Sequence, residues 1–373
     1  MSSVCPEAAD AMQHRGKLKM GRLPFWPPLP ADRFFGRRRR LLAFPLDDPA
    51  CRLFARGRQA LGVGLVAAGL VPGDEVLVPA YHHGSEVEAI VQSGLVCRFY
   101  DTSERLEADP LVLRAAIGPR TRALVITHYL GFPQASRRWR SFCDDHELLL
   151  IEDAAQAWLA SVDGRPAGSY ADLAVFCLYK TLGLPDGAAC IARRPPMAPQ
   201  PGPLGLQLTA RRGAGRLRPY LSKSAQLRLG ASSARGLDPI DDFAFSAPRA
   251  PSGASHRLIA RIDTTRVAEQ RRANFARLLQ AHADRVPEAF RELPPGASPM
   301  CFPVAAPSKR DLIAYLDGVG IDTVDFWSVP HPSLDAEKFP AARRLREQVV
   351  GVPVHQGLDD SGLERIAAAL ERA

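Results

Sequence analysis

Short apolar segments alternate with amphipathic ones between about residue 50 and residue 195, and this alternation restricts the fold more than any other feature. Segments such as EVLVPA, LVCRFYD, RALVITHYLG, LLLIED and ADLAVFCLY have the composition of buried strands. Between them, SEVEAIVQSG, DPLVLRAAIG and SRRWRSFCDDHE have helical spacing. The alternation predicts an α/β fold with a mostly parallel sheet covered by helices on both faces. We also expect CRLFARGRQALGVGLVAAGL to form a helix and GAACIARR a further strand.

The rest of the chain departs from this pattern and indicates three regions. Residues 1–45 form an irregular leader rich in proline and arginine. Residues 46–255 would form the large domain, although the pattern weakens after residue 195. Residues 256–373 are predicted to contain a long linking helix, from 256 to 284, and then a smaller α+β domain with the order strand, helix, strand, helix. Ser361 and Glu364 have the spacing of a capping box for the last helix.

Composition argues against several classes of protein. No apolar run is long enough to cross a bilayer, and the first twenty residues lack the apolar core of a signal peptide, so we expect a cytoplasmic protein without a membrane partner. The seven cysteines contain no C-x-x-C pair, which predicts neither a metal site nor a disulfide framework.

The net charge of +8 could indicate a nucleic-acid partner, but its distribution does not favour one. Only six residues are lysine, and this bias toward arginine is typical of genome composition. The one true basic run, Arg37 to Arg40, lies in the leader, where it could flank an anionic substrate entrance. No nucleic-acid partner is predicted.

Two ionisable side chains follow predicted strands. Asp153 ends LLLIED, and Lys180 follows ADLAVFCLY. In open α/β sheets, ligands bind at the carboxyl ends of the strands. We expect burial to lower the pKa of Lys180 and make it a nucleophilic amine, and pyridoxal phosphate is a cofactor that uses both a lysine and a carboxylate. The alternative is that Asp153 caps the following helix while the Lys180 side chain extends to solvent.

The segments IEDAAQA and FCLYKTLGLPDGAAC resemble the DegT/DnrJ/EryC1/StrS family, whose members are fold-type-I pyridoxal-phosphate enzymes, mostly sugar aminotransferases. Further similarity lies in GLVPGDEVLVPAYHHGSEVEAIVQSGLVCRFYD, THYLGFPQ and two C-terminal segments. The resemblance covers about residues 50–195 and 256–373. It implies an amino-acid donor, with glutamate as the expected one, a keto-sugar acceptor linked to a nucleotide, and a homodimer.

The resemblance also implies roles for individual residues. Lys180 would bind the cofactor aldehyde as a Schiff base and then shuttle a proton, and Asp153 would keep the pyridine nitrogen protonated. Gln156 would reach the phenolic oxygen. His83 occupies the position of an aromatic residue that stacks on the cofactor ring, with Tyr81 as the weaker candidate. His82 and His128 are expected to be structural.

The phosphate group of the cofactor would lie at the start of a helix, at ARGRQAL. Gly57 would let the backbone approach, and the Arg58 guanidinium could bind the phosphate, unless it is an ordinary surface arginine. Cys177 lies where the family has a phosphate-binding serine, and the alternative is a buried thiol.

Two departures from the family pattern leave the function open. The Gly-x-Asn-x-Arg motif that binds substrate in the family is missing from 196–255, and PDGAA replaces a glycine-rich segment after Lys180. A pyridoxal-phosphate enzyme acting on another substrate, or a catalytically silent binding or regulatory subunit, are therefore alternatives. Lysine at 180 favours transamination over the family's dehydratase branch, which has histidine there.

Overall fold

The computed structural model describes residues 21–30, 35, 42–199 and 246–373. The basic run from Arg37 to Arg40 and most of the 196–255 region therefore lie outside the described residues. The described strands are β1 (Arg52–Phe54), β2 (Glu75–Pro79), β3 (Val96–Tyr100), β4 (Thr121–Thr127), β5 (Leu149–Asp153), β6 (Ser161–Val162), β7 (Arg165–Pro166), β8 (Leu173–Cys177), β9 (Ala188–Ala192), β10 (Cys301–Ala305), β11 (Val324–Asp325) and β12 (Val349–Pro353). The α-helices are α1 (Gly57–Ala67), α2 (Ser85–Gln92), α3 (Pro110–Ala116), α4 (Ser136–Asp145), α5 (Leu178–Leu182), α6 (Gly253–Ile259), α7 (Val267–His282), α8 (Lys309–Gly318), α9 (Pro340–Gln348) and α10 (Asp360–Arg372).

Seven strands form one large sheet, in the order β1-β9-β8-β5-β4-β2-β3. Strands β2, β3, β4, β5 and β8 are parallel, whereas β9 runs antiparallel to both β8 and β1. This arrangement confirms the mostly parallel α/β fold. Because β5 and β8 are adjacent and parallel, with Asp153 paired to Val175, their carboxyl ends lie at one edge of the sheet.

The alternation of side chains along the strands supplies a separate core on each face of this sheet. One face packs against α1 and α2, and its strand residues are Val76, Val78, Ala123, Val125, Ile151 and Val175. The opposite face carries α3 and α4 beside Leu77, Leu124, Ile126 and Leu150. Further along that face, Phe176 packs with Leu258 and Ile259 of α6. The strands are thus buried on both sides, which explains why their sequences are almost continuously apolar.

A second sheet of three antiparallel strands, β10-β12-β11, organises the C-terminal part. Its central strand, β12, was not predicted, because Gly351 and Pro353 have the composition of a loop. The glycine has a packing reason, since a Cβ there would collide with the ring of Phe326. Pro353 ends β12, where it pairs with Cys301.

Three further predictions about elements are wrong. Residues 52–54 form β1 rather than the first turn of α1, because they pair with β9. The linking helix is broken into α6 and α7, since the Asp263 side chain accepts hydrogen bonds from the backbone and hydroxyl of Thr265 and forms a turn instead. The last helix is capped by Asp359, which accepts from Gly362 N–H at 2.8 Å, so Ser361 is not the cap.

Long-range contacts connect the two sheets. Asp101, just after β3, accepts from the backbone N–H groups of Ala341 and Ala342 at the start of α9. Arg346 of α9 is buried and donates to the carbonyls of Ala80 and His82 at 2.7 and 3.0 Å. Phe25 is also buried in the C-terminal core.

The boundaries at residues 45 and 255 remain predictions. Among the described residues, no helix combines the length and apolar character that crossing a bilayer requires.

Candidate active site

Asp153 and Lys180 lie at the same edge of the large sheet, at the ends of adjacent parallel strands. Each affects the ionisation of the other. Burial, and after it the charge of Glu86, raise the pKa of Asp153 to about 6, although the Ala155 N–H and the Lys180 charge act in the opposite direction. The structure therefore brings together the acid and the amine that the sequence singled out.

The predicted direction of the Lys180 pKa shift is wrong. Burial does favour the neutral amine, but its acidic neighbours outweigh burial, and the pKa of Lys180 is raised to about 12. Those neighbours are Cys177, Tyr179, Asp153 and Glu86, in decreasing order of effect. Lys180 without a bound partner is thus an ammonium. Because the Cys177 thiol is protonated near neutral pH, it is pairing of the Asp153 or Glu86 charge with another cation that would lower the pKa of Lys180 and favour the free amine.

Glu152, the residue before Asp153, points to the opposite face of β5 and belongs to a closed hydrogen-bond network. It is fully buried and accepts from His128 Nε2 at 2.7 Å, Ser136 Oγ at 2.8 Å and Gly168 N–H at 2.9 Å. His128 Nδ1 in turn accepts from Gln134 N–H, which places the ring proton on Nε2. His128 therefore orders the structure around β5 and does not face Lys180.

Gln156 is held in one orientation by the backbone. Its Oε1 accepts from Leu130 N–H at 2.8 Å, and the side chain is buried. Because this oxygen already has a partner, the amide NH₂ is the part of Gln156 that can donate to a ligand. Leu130 itself has a left-handed backbone, with φ of 53°, shortly after the end of β4.

The loop between β2 and α2 contains the two candidate stacking rings. Tyr81 is 2% exposed and packs between Tyr129 and Trp327, with ring centroids 5.5 and 4.8 Å away. His83 is only half-buried, and its ring meets the edge of Trp327 at 6.1 Å. This geometry favours His83 as the ring that a cofactor would contact.

His82 has a structural environment. It is fully buried, Nδ1 lies 3.0 Å from the Pro79 carbonyl, and the ring stacks on Phe99. Burial lowers the pKa of His82 to about 3, so the ring is neutral at physiological pH.

Glu86 is a site residue that the sequence analysis missed. It lies in the first turn of α2, is mostly buried, and accepts from His83 N–H at 2.9 Å. Its charge acts on both Asp153 and Lys180. In the sequence, an acid in the first turn of a helix is ordinary, so nothing distinguished Glu86 from a residue that only complements the helix dipole.

The predicted phosphate site lies where α1 begins. A Cβ on Gly57 would lie 2.7 Å from Cys177 Sγ, so only glycine allows this close approach. Burial raises the pKa of the Cys177 thiol, which keeps it protonated. Gly57 and Cys177 are therefore adjacent, and a phosphate contact by either residue remains a prediction.

Arg56, which lies directly before α1, is another residue beside this site that the sequence analysis missed. It occupies the N-cap position of α1 without capping the helix, and its guanidinium lies 5.4 Å from the centre of the Tyr179 ring. Its Nη1 is buried and has no hydrogen-bond partner among the described residues. An arginine at an N-cap, where serine, threonine or aspartate is usual, was the signal available in the sequence.

Arg58 influences a different group. The pKa of Glu88, on α2, is lowered mainly by a hydrogen bond from His331 and also by the charge of Arg58. A phosphate contact by Arg58 remains a prediction.

The chain is similar to known proteins in both sequence and fold. Residues 48–199 match the model of the DegT/DnrJ/EryC1/StrS aminotransferase family. The chain is similar to the dTDP-3-amino-3,4,6-trideoxy-alpha-D-glucose transaminase of Streptomyces venezuelae, with 28% identity over 328 residues that cover 84% of this chain and 80% of that protein. It is also 35% identical over 136 residues to the UDP-N-acetyl-3-dehydro-alpha-D-glucosamine 3-aminotransferase of Acidithiobacillus ferrooxidans, a match that spans 36% of each chain.

Among solved structures, the fold matches DesV from S. venezuelae with a TM-score of 0.63 and 25% identity, covering 86% of this chain and 84% of that one. This similarity confirms the fold-type-I architecture predicted from the sequence. Residues 48–199 thus resemble the DegT/DnrJ/EryC1/StrS aminotransferases, a family that uses pyridoxal phosphate, and the fold of most of the chain agrees with this similarity.

Proposed function

We propose that this protein moves an amino group from an amino acid, glutamate in the simplest case, to the keto group of a nucleotide-linked sugar. The observation that carries the proposal is the meeting of Lys180 and Asp153 at one sheet edge, beside the start of α1. The two relatives named above are transaminases of a dTDP-linked and a UDP-linked sugar. Such a product would serve the assembly of a surface polysaccharide or an antibiotic.

The residues of the site have the chemistry that pyridoxal phosphate requires. Arg56 Nη1 is a buried donor without a partner among the described residues, beside a helix start whose first glycine cannot carry a side chain. A phosphate bound there would satisfy the guanidinium and the backbone N–H groups of α1 together. Gly57, Arg56 and Cys177 are thus the residues that we expect to surround it.

Pyridoxal phosphate supplies an aldehyde that accepts the amino group and a pyridinium ring that withdraws electrons. Asp153 would hold the ring nitrogen in its protonated form. Pairing Asp153 with a cation also offsets one of the charges that raise the pKa of Lys180. The pKa of Lys180 then falls, and a larger fraction of the side chain is the free amine. Lys180 Nζ would then accept and return the proton that moves during transfer.

Gln156 and His83 would orient the cofactor. The Gln156 NH₂ would donate to the phenolic oxygen while Leu130 N–H holds the other end of the amide. His83 would cover one face of the ring, with its backbone N–H fixed by Glu86.

The proposal is tested by incubating the holoenzyme with L-glutamate and a panel of dTDP- and UDP-linked keto sugars. Mass spectrometry would follow the amino sugar and 2-oxoglutarate. We expect stoichiometric formation of both with wild type and neither with Lys180→Ala. Failure of wild type to convert glutamate at saturating cofactor would contradict aminotransferase activity and favour a silent subunit. Conversion of glutamate without a sugar product would contradict only the acceptor class.

Two further features of the proposal concern the whole protein. We propose a homodimer and a cytoplasmic location, both of which remain predictions from the sequence and from the family resemblance.

A further inference from the structure

The backbone carbonyl directly after the reactive lysine receives two side-chain donors from the C-terminal part of the chain. Thr181 O accepts from Arg271 Nη2 at 3.0 Å and from Gln356 Nε2 at 3.0 Å. Arg271 lies on α7, and Gln356 follows β12. Both donors therefore reach across from the C-terminal part to the five-residue helix α5, which carries Lys180.

Within the part of the chain that the structure describes, Arg271 contacts only neutral groups, which is unusual for so buried a cation. It is 1% exposed, and besides Thr181 O it donates to Gln356 Oε1 at 2.9 Å and to the carbonyls of Pro299 and Met300 at 3.1 and 3.4 Å. No carboxylate pairs with it among the described residues. Burial lowers the pKa of Arg271 to about 10, so the side chain remains charged at physiological pH.

A buried cation without an anion is costly unless oriented dipoles compensate for it. The end of α5 offers such dipoles, because the last carbonyls of a helix have no partner within the helix. The guanidinium and the end of α5 thus satisfy each other, and separating them would leave both unsatisfied.

The turn that follows α5 is also packed on its other side, against the N-terminal segment. Gly183, which ends α5, has a left-handed φ of 71°, and a Cβ there would collide with the carbonyls of Pro27 and Pro28. The turn after Lys180 is therefore packed between the N-terminal segment and Arg271, which leaves the backbone of α5 little freedom to shift.

We propose that Arg271 is a positioning residue for Lys180: it fixes the end of α5 through Thr181 O and so sets the orientation and ionisation of the reactive amine. The inference rests on the proposed function only in taking Lys180 as that amine. It does not require Arg271 to touch the cofactor or the substrate.

The test compares Arg271→Met, Arg271→Lys and Arg272→Met with wild type. Arg272 is the matched control, because it also donates to backbone carbonyls, those of Pro294 and Ala297, but not to α5. Hydrogen exchange is measured on the peptide that spans residues 178–184 in the protein prepared without cofactor. We expect Arg271→Met to speed exchange in this peptide by about tenfold relative to the large sheet, the effect of losing one hydrogen bond to a charged group. Arg271→Lys should restore part of the protection, and Arg272→Met should leave it unchanged.

A second readout follows the amine itself. Pyridoxal phosphate is added over a range of pH, trapped with borohydride, and quantified on the Lys180 peptide. Arg271→Met should shift the pH midpoint of trapping, whereas Arg272→Met should not.

Equal changes in both variants, or no local change in Arg271→Met, would overturn the inference and assign Arg271 to general stability. If Arg271→Met does not fold, Gln356→Met removes the other donor to Thr181 O and must show the same local effect. Absence of any adduct on wild type would contradict the proposed function, while the exchange experiment would still decide the role of Arg271.

Discussion

Glu152 and Asp153 are adjacent in the sequence, yet their side chains lie on opposite faces of β5 and meet opposite environments. Glu152 is surrounded by donors, so its charge is stabilised and fixed. Asp153 has the Ala155 N–H, the Glu86 charge and the Lys180 ammonium around it, and its ionised form is destabilised in the free protein. A pair of acids at a strand end can thus divide into a structural residue and a reactive one, and the sequence alone did not show which role Glu152 has.

Replacing Asp153 by asparagine should stabilise the cofactor-free protein while abolishing activity. The pKa of Asp153 rises from 3.8 to about 6 on folding, so the native state binds the extra proton between these values and wild type loses stability as pH rises through them. An asparagine side chain cannot ionise, so Asp153→Asn should be more stable than wild type at pH 8 by about 1–3 kcal/mol and equal to it near pH 4. Urea denaturation at both pH values measures the difference. A difference that does not change with pH would contradict the assigned environment.

Replacing Glu152 by glutamine should have the opposite effect on stability. Burial alone would raise the pKa of Glu152, but the donors from His128, Ser136 and Gly168 outweigh it, and the pKa is lowered. Its stabilising effect is therefore present above the ordinary value of 4.5 and is lost as pH falls through the folded pKa. At pH 7, Glu152→Gln should cost about 2–4 kcal/mol, because an amide NH₂ would face existing donors. Glu292→Gln, at an exposed position, is the control and should be neutral; equal effects of both changes would refute the network.

The start of α1 shows how much of an element the sequence can predict. The helix, its glycine and its link to Cys177 follow from the local pattern and the family resemblance. The strand β1 just before it does not, because three residues gain strand character only by pairing with residues 188–190. For the same reason β12 escaped prediction: its glycine is required by Phe326, which is distant in the sequence.

Replacing Gly57 by alanine should destabilise the protein, although alanine normally stabilises a helix. The new Cβ would lie 2.7 Å from Cys177 Sγ, and we expect a cost of about 1–3 kcal/mol together with weaker cofactor binding. Adding Cys177→Ala should recover most of the loss by removing the sulfur. Gly253→Ala, in the first turn of α6 with nothing within 4 Å of the new Cβ, is the control and should be neutral or slightly stabilising. Thermal denaturation of these variants measures the effects, and a neutral Gly57→Ala would show that α1 can shift.

On the scale of the whole molecule, the site depends on segments that are far apart in the sequence. Arg346 holds the loop that carries His83, and Arg271 holds the turn after Lys180. Arg56 and Glu86 can be recognised as site residues only once the fold has placed them near Cys177, Tyr179 and Asp153. Residue type and strand position were enough to single out Lys180 and Asp153, and the family resemblance added Gln156. The supporting residues could not be predicted, because their partners are set by the tertiary fold.

The proposed homodimer is testable at the same scale. Light scattering of the holoenzyme should give about twice the 40.6 kDa mass of one chain. A mass of one chain at micromolar concentration would contradict the dimer without affecting the roles of Lys180 and Asp153.

The most direct test of the central claim is the absorbance spectrum of the protein with added pyridoxal phosphate, followed by borohydride reduction and peptide mapping. Wild type and Lys180→Ala are measured side by side. Wild type should turn yellow, lose the colour when glutamate is added, and carry the reduced cofactor on Lys180 after borohydride treatment in the absence of glutamate, whereas Lys180→Ala should carry none. A colourless wild type at saturating cofactor, or an adduct on a different lysine, would contradict the assignment of this site.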